Sequence, residues 1–343
     1  MPVVTIEQLE KELNKGELQS SYLLYGVEKF LLENCFKKIK KIFGDLVLGI
    51  NYVVIDENNF TSLISNLETP AFGYEKKLVI VKNTGLLKKE GKRKNASIAE
   101  SREKIVEYLN KNKDIVLQTN CIVFLEEDIE KNNLYKELEK IGTVICNFEE
   151  QKLPVLVSRI KSLCMAYHVN VDDNTIKYFI ETCGTNMQEL INELRKLIEY
   201  VGENGTIQKN DIDKLCNKKI EAVIFDLTDE LGKKNISKAI TVLHKLKYNK
   251  EPIPKIIITL YNHFKKLFLV KLALKEQKDI SLVLKLKPNQ TFLIGKYKTQ
   301  AGYFKESELK KLLEELTNLD MYYKNGIIDE EIGLESILCR YCS

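Results

Sequence analysis

The 343-residue sequence has no apolar run near the 20 residues that cross a bilayer. Its first residues, MPVVTIEQLEKEL, lack the basic-then-apolar order of a secretion signal. Arginine is also scarce, at five of the 53 basic residues, and the formal net charge is only +4. We therefore expect no membrane partner, a cytoplasmic protein, and no sequence-specific DNA binding, because arginine makes most bidentate contacts to bases and phosphates.

Catalytic and metal-binding patterns are missing as well. The three histidines, His168, His244 and His263, lie far apart, and no cysteine or carboxylate completes a metal-ligand spacing with them. No GxSxG or HExxH motif occurs. The sequence therefore predicts no cofactor, no metal and no catalysis by this chain alone.

Eight cysteines are scattered, mostly inside apolar patterns, which favours free buried thiols in a reducing compartment. Cys339 and Cys342 have CxxC spacing. A zinc site would need a second pair, and a thioredoxin-like motif lies at a strand-to-helix turn rather than at the chain end. We expect neither use.

What is present is a globular composition, 44% hydrophobic and 30% charged, in a chain too long for a single core. Short uninterrupted apolar runs alternate with helical patterns in the first 150 residues, as in a parallel sheet covered on both faces. The pattern predicts an α/β domain over residues 1–147. Its predicted strands are residues 22–25, 52–55, 78–81, 122–125 and 143–146, and its predicted helices residues 28–43, 60–67 and 103–109.

The first strand runs through Gly26 into a helix, where a P-loop would hold phosphate. In GxxxxGK[ST], glycines admit the phosphates, lysine binds them and Ser/Thr holds magnesium. Counted from Gly26, those last three positions are Leu31, Leu32 and Glu33. Lys29 is three residues early. The sequence thus predicts a degenerate, non-binding P-loop and a mechanical function.

The fourth predicted strand closes in Glu126, Glu127 and Asp128. Such an ending resembles the magnesium-side element of P-loop ATPases. Acidic residues also occur at the ends of strands and the starts of helices. Without a phosphate-binding loop there is no magnesium-bound nucleotide for these residues to contact. We favour a relic or a structural role.

The most polar stretch is residues 87–103, where basic residues surround Gly91. It is either a solvated loop, which we favour, or a non-specific contact to DNA phosphates. The basic residues are Lys88, Lys89, Lys92, Arg93 and Lys94.

From residue 153 onward the apolar spacing is helical, which predicts a small helical domain over residues 148–215 and a larger helical domain over 216–343. Gly184 and Gly202 stand where helices should stop. Pro252 and Pro254 open a long helix, and Ser307 is the expected cap of another.

Four segments together resemble the delta subunit of the bacterial DNA polymerase III clamp loader, an ATPase-inactive member of the AAA+ superfamily. They are SYLLYGVEKFLLE at residues 21–33, LETPAFGYEKKLVIVKN at 67–83, GTNMQELINELRKLIEYVG at 184–202 and LDMYYKNG at 319–326. They cover nearly the whole chain in order.

The resemblance implies an AAA+-like α/β domain, a lid and an oligomerising collar. It implies a subunit of a DNA polymerase holoenzyme that opens the sliding clamp (beta subunit) for loading on primed DNA. The expected partners are the clamp-loader ATPase subunits and a delta-prime-like subunit in a hetero-pentamer. The chain itself would not hydrolyse ATP.

Members of this family contact the clamp through an apolar plug before the third strand, which maps to Ala71 and Phe72. Pro70 precedes this pair and Tyr74 follows it. Ala71 is smaller than the bulky residue often found there, so Tyr74 or Leu67 is expected to supply further area. Phe72 lies between proline and glycine, in a turn with no obvious core to fill. The alternative is that Phe72 folds under the sheet.

Two other functions remain open. One is an active P-loop AAA+ ATPase, which labelled ATP would reveal. The other is a helical adaptor without a role in replication, which would fail to co-purify with the clamp and the ATPase subunits.

Overall fold

The computed structural model describes residues 3–88 and 96–342. The chain divides into two compact units, residues 1–150 and 151–343. The first unit corresponds to the predicted α/β domain. The further division of the second unit into lid and collar stays a prediction.

The first unit is built on a parallel six-stranded sheet with the order β1-β6-β2-β5-β4-β3. Its central strands are buried on both faces, which explains their continuous apolar runs. The strands are β1 Val3–Val4, β2 Ser21–Gly26, β3 Tyr52–Ile55, β4 Lys77–Lys82, β5 Asn120–Glu126 and β6 Val144–Phe148.

Helices connect these strands and cover the sheet. They are α1 Ile6–Asn14, α2 Lys29–Phe43, α3 Leu63–Glu68, α4 Ala96–Thr119 and α5 Asn133–Lys140, and a 3₁₀ turn, Phe60–Ser62, leads into α3. Helix α2 corresponds to the helix predicted over residues 28–43, and Leu31, Cys35 and Ile39 are its buried residues.

The second unit is helical in its described part, apart from an isolated bridge between Asn170 and Thr206. Its helices are α6 Leu153–Ala166, α7 Asp173–Cys183, α8 Met187–Val201, α9 Lys209–Leu215, α10 Ile220–Gly232, α11 Ile236–Tyr248, α12 Ile253–Lys275, α13 Ile280–Val283, α14 Ile294–Tyr303, α15 Glu306–Lys324 and α16 Glu330–Cys342. Among the described helices, none has both the length and the apolar character that crossing a membrane requires. The predicted fold class, α/β followed by all-α, is confirmed.

Several local predictions were incomplete. Strand β1 has only two residues, and the patterns of α1 and α5 are short, so the sequence signal missed all three. Helix α4 is longer than the predicted residues 103–109. Only a narrow stripe of it is buried, and the residues at its two ends are mostly polar. The predicted cap Ser307 was wrong: α15 begins at Glu306, and the amide of Lys305 donates to the Glu308 carboxylate at 2.6 Å.

Candidate functional site

The connection between β2 and α2 is too short to form a phosphate-binding loop. Strand β2 ends at Gly26 and α2 begins at Lys29, which leaves only Val27 and Glu28 between them. The amide of Glu28 donates to the carbonyl of Phe148 at 2.9 Å, and the amide of Lys29 to that of Val27 at 2.9 Å. A P-loop binds phosphate through such amides, and here both already have backbone acceptors.

Gly26 serves the packing of the sheet. Its φ is +130°, and a Cβ at this position would lie 2.5 Å from the carbonyl oxygen of Phe148. Glycine is therefore required because the backbone of β6 approaches closely. The feature that resembles the first P-loop glycine has a structural explanation within this chain.

Leu31, Leu32 and Glu33, which stand in the place of GK[ST], lie near the start of helix α2. Leu31 is 3% exposed and belongs to the core. Leu32 and Glu33 line a groove of about 400 Å³ at the carboxyl edge of the sheet. The residues around this groove are Gly26, Lys29, Leu32, Glu33, Phe36, Lys37, Lys40, Lys82, Asn83, Leu125, Glu126 and Glu127.

The charges nearest the start of α2 neutralise one another. The ammonium of Lys29 lies 2.5 Å from the carboxylate of Glu127. Their hydrogen bond raises the pKa of Lys29 and lowers that of Glu127. The ammonium of Lys29 therefore forms an ion pair with Glu127 at the edge where a nucleotide would need a free cation.

Glu126 ends β5 and is 3% exposed. Burial raises its pKa to about 7, while Lys88 and hydrogen bonds from Thr84 act in the opposite direction. One carboxyl oxygen accepts from the Thr84 hydroxyl at 3.4 Å, and the other has no partner among the described residues. The acidic end of β5 thus holds a buried carboxyl and, at Glu127, an ion pair.

The loop before β4 presents an aromatic side chain to solvent. The amide of Tyr74 donates to the carbonyl of Ala71 at 3.0 Å, and Gly73 has a φ of +80°. This is the pattern of a type II turn, which needs glycine at its third residue. Phe72 is 77% exposed and Tyr74 41%. Phe72 therefore does not fold under the sheet. We call residues 71–74 the Phe72 turn.

The base of this loop is tied to the sheet. The buried ammonium of Lys77 donates to the carbonyls of Asn66, at 2.9 Å, and Thr69, at 2.5 Å. The amide group of Asn120 donates to the carbonyl of Leu67 at 3.2 Å. These bonds satisfy carbonyls at the end of α3, so the Phe72 turn projects from a fixed support.

Leu67 does not belong to the exposed surface. It is 4% exposed and packs in the core of the first unit, since it lies on the inner face of α3. Pro70 is exposed and Ala71 half-buried. The sequence analysis did not identify Lys77, because its role depends on the backbone of α3. The one sequence feature that could have identified it is a lysine at the start of a buried apolar strand.

The predicted DNA-contacting stretch is only partly within the described residues. Lys88 is exposed. Lys89, Lys92, Arg93 and Lys94 lie outside the described residues, so the choice between a solvated loop and a DNA contact stays open.

Comparison with known proteins decides the family. The family model of the DNA polymerase III delta subunit matches residues 22–148, and the model of the C-terminal domain of that subunit matches residues 221–341. The chain belongs to the DNA polymerase III delta subunit family. The match over residues 22–148 includes both the Phe72 turn and the β2–α2 junction.

Two delta relatives extend the match along the chain. A DNA polymerase III subunit delta of Bacillus subtilis is 26% identical, over 96% of this chain and 95% of its own length. A probable delta subunit of Aquifex aeolicus is also 26% identical, over 93% and 91%. The solved structure of a B. subtilis DNA clamp loader delta protein covers 98% of this chain and 99% of its own, with a TM-score of 0.69 and 24% identity. That likeness shows the same fold.

We predict that Gly26→Ala destabilises the protein strongly. Its new methyl group would meet the carbonyl of Phe148, so unfolding in urea should require at least about 2 kcal/mol less free energy. Gly142→Ala is the matched control, because Gly142 also has a positive φ, +86°, but open space around its Cβ position. Equal losses in the two variants would contradict the role of the contact.

We predict that Glu126 makes stability depend on pH. Its pKa in the folded protein, about 7, exceeds its ordinary value of 4.5, so the folded state binds the proton more tightly. The stabilising contribution of Glu126 should be fully present below pH 4.5 and be lost as the pH rises through 7. Glu126→Gln should remove this dependence and be about 1–3 kcal/mol more stable than wild type at pH 8.

Urea denaturation at pH 5 and pH 8 measures this difference. Glu127→Gln is the control, because the pKa of Glu127 is lowered by Lys29 and its loss should not increase stability at pH 8. A wild-type stability that does not change between the two pH values would contradict the prediction.

Proposed function

We propose that this chain is the clamp-contacting subunit of a bacterial clamp loader. Through the Phe72 turn it binds the sliding clamp, the beta subunit of the polymerase holoenzyme, and favours the open ring for loading on primed DNA in replication. Membership of the delta family supports this role. The relative of known structure is itself a clamp loader delta protein.

The observation that carries the proposal is the exposure of Phe72 on a tied turn. A phenylalanine that is 77% exposed loses its contact with water when it enters a partner's pocket, which stabilises a complex by about 1.5–3 kcal/mol. Tyr74 and Pro70 lie beside it and extend the apolar area. Such an aromatic at the centre of a contact is a typical hot spot.

Opening of the clamp follows from differential binding. The Phe72 turn stands on a rigid parallel sheet and is held by Lys77 and Asn120. A rigid surface that fits the sprung ring interface better than the closed one shifts the equilibrium toward the open ring. It shifts that equilibrium only by the difference in affinity.

The chain is proposed to work without hydrolysing ATP. A triphosphate would need a loop with free amides between β2 and α2. Here that junction has two residues, the amides of Glu28 and Lys29 already have acceptors, and Leu31 lies in the core. ATP hydrolysis would then belong to the ATPase subunits. The active AAA+ ATPase is disfavoured for the same reasons.

Assembly with other subunits is assigned to the C-terminal helices. They expose several large apolar side chains, as surfaces that pack against partners do. These side chains include Tyr248, Leu282, Ile327 and Ile332. The proposed assembly is a hetero-pentamer with the ATPase subunits and a delta-prime-like subunit, in the cytoplasm.

We predict that Phe72→Ala weakens clamp binding by about ten- to a hundredfold, because the aromatic contact is lost. Surface plasmon resonance with the purified beta clamp of the same organism gives the Kd. Tyr248→Ala is the control, since Tyr248 is 89% exposed but lies in the other unit and should leave the Kd unchanged.

Wild-type binding by Phe72→Ala would reject the Phe72 turn as the contact. Failure of the wild-type chain to bind the clamp, and to co-purify with the ATPase subunits, would instead favour the helical adaptor.

We predict that photo-reactive ATP does not label the isolated chain, because the amides of Glu28 and Lys29 already have backbone acceptors and the Lys29 ammonium is paired with Glu127. An ATPase subunit of the same loader, labelled in parallel, shows that the reagent works. Specific labelling near Leu31 and Leu32, competed by unlabelled ATP, would contradict the non-hydrolysing role.

A further inference from the structure

Helices α7, α8 and α9 bring two cysteines and a glutamate together. The thiol sulfurs of Cys183 and Cys216 and a carboxylate oxygen of Glu193 all lie within 4.8 Å of one another. Cys183 is 1% and Cys216 8% exposed, and the side chain of Glu193 is 14% exposed. Three side chains of two types that bind zinc, two thiols and a carboxylate, therefore meet at one partly accessible point.

The fold explains why this cluster has no sequence signature. Cys183 is the last residue of α7, which stops at Gly184 with a φ of +90°. Cys216 caps the end of α9, and its extended backbone leads the chain away from the helix. The two residues are far apart in sequence, so no motif spacing connects them. Their separation is the reason why the sequence predicted no metal site.

The thiols are close enough to interact directly. A hydrogen bond between Cys183 and Cys216, together with burial, raises the pKa of the Cys183 thiol. Both cysteines are free. A pair of neighbouring free thiols beside a carboxylate is either a metal site or the precursor of a disulfide.

The carboxylate is held in a way that suits a cation. Its Oε2 lies 2.7 Å from the ammonium of Lys196 and accepts from the amide of Asn217 at 2.8 Å. Lys196 also donates to the carbonyl of Leu215 at 3.0 Å, which fixes its position. Both partners contact Oε2. Outer hydrogen bonds of this kind orient metal-binding side chains.

We propose that Cys183, Glu193 and Cys216 bind one Zn²⁺ ion, with water as the fourth ligand. Tetrahedral zinc with Zn–S bonds of about 2.3 Å places its sulfurs about 3.8 Å apart, so a side-chain contraction of about 1 Å completes the site. Each thiol releases its proton to solvent on binding.

The charges of the proposed site balance. Two thiolates and a carboxylate with Zn²⁺ carry a net charge of −1, and the Lys196 ammonium beside Oε2 neutralises it. A disulfide would make no use of the carboxylate or of this lysine. The ion would join α7, α8 and α9 at one point, so the site stabilises the small bundle.

The first experiment is a Co²⁺ titration of the full chain with Cys339→Ser and Cys342→Ser, which removes the remaining thiols that are not buried. We expect one equivalent of Co²⁺ to produce the sulfur-to-metal charge-transfer band, and Zn²⁺ to displace it. Zn²⁺ at a hundredfold excess over its Kd should raise the Tm by about 5–10 °C.

Variants assign the ligands. Cys183→Ser and Cys216→Ser should each remove at least half of the band and weaken Co²⁺ binding. Glu193→Gln and Lys196→Met should weaken Co²⁺ binding roughly ten- to a hundredfold. Cys164→Ser is the matched control, because Cys164 is fully buried in α6, outside the cluster, and should leave the band unchanged. Circular dichroism confirms that each variant is folded.

Three results would overturn the proposal. They are a wild-type chain without the charge-transfer band, a band whose intensity is unchanged in Cys216→Ser, and a Cys183–Cys216 disulfide that persists in the presence of reductant with no affinity for metal. The conservative Glu193→Gln keeps the test valid where a serine variant does not fold, since it changes one charge and almost no volume.

Discussion

The close approach of Gly26 to Phe148 determines what the first unit can do. This contact joins the end of β2 to β6, and the amide of Glu28 completes it by donating to the same carbonyl. Helix α2 must then begin within two residues, so the chain has no length left for a loop around phosphates. An ATPase of this architecture needs that loop. The same tight junction joins β2 closely to β6.

The two edges of the sheet have separate roles. Because all the strands are parallel, Gly26 at the end of β2 and the Phe72 turn before β4 lie at opposite edges. A change at the carboxyl edge therefore need not alter the amino edge. There Lys77 and Asn120 hold the end of α3 through backbone carbonyls. A contact built this way depends on the sheet and is independent of any ligand.

The sequence predicted the central strands, α2 and the long helices, because each buries a continuous or periodic apolar set. It missed β1, which has two residues, and the short helices α1 and α5, although Ile6, Leu9 and Leu13 of α1 stand at helical spacing. Leu31, Leu32 and Glu33 were enough to predict a degenerate P-loop, since the motif is local, and its failure to bind nucleotide stays a prediction. The Lys29–Glu127 pair and the Cys183–Glu193–Cys216 cluster were not predictable, because each joins residues far apart in the chain. Leu67 was misplaced because half a helical turn separates an inward from an outward face.

At the carboxyl edge of the sheet, charged side chains surround the place where a nucleotide would bind. Lys29 and Glu127 neutralise each other at the start of α2, and burial favours a neutral Glu126 up to about pH 7. A triphosphate entering the groove would have to break the ion pair and meet Glu33 as well. A single lysine placed at Leu32 would leave the short junction and the engaged amides of Glu28 and Lys29 unchanged, so it would not create a nucleotide site. The short junction excludes the phosphates first, and the charges then reinforce that exclusion.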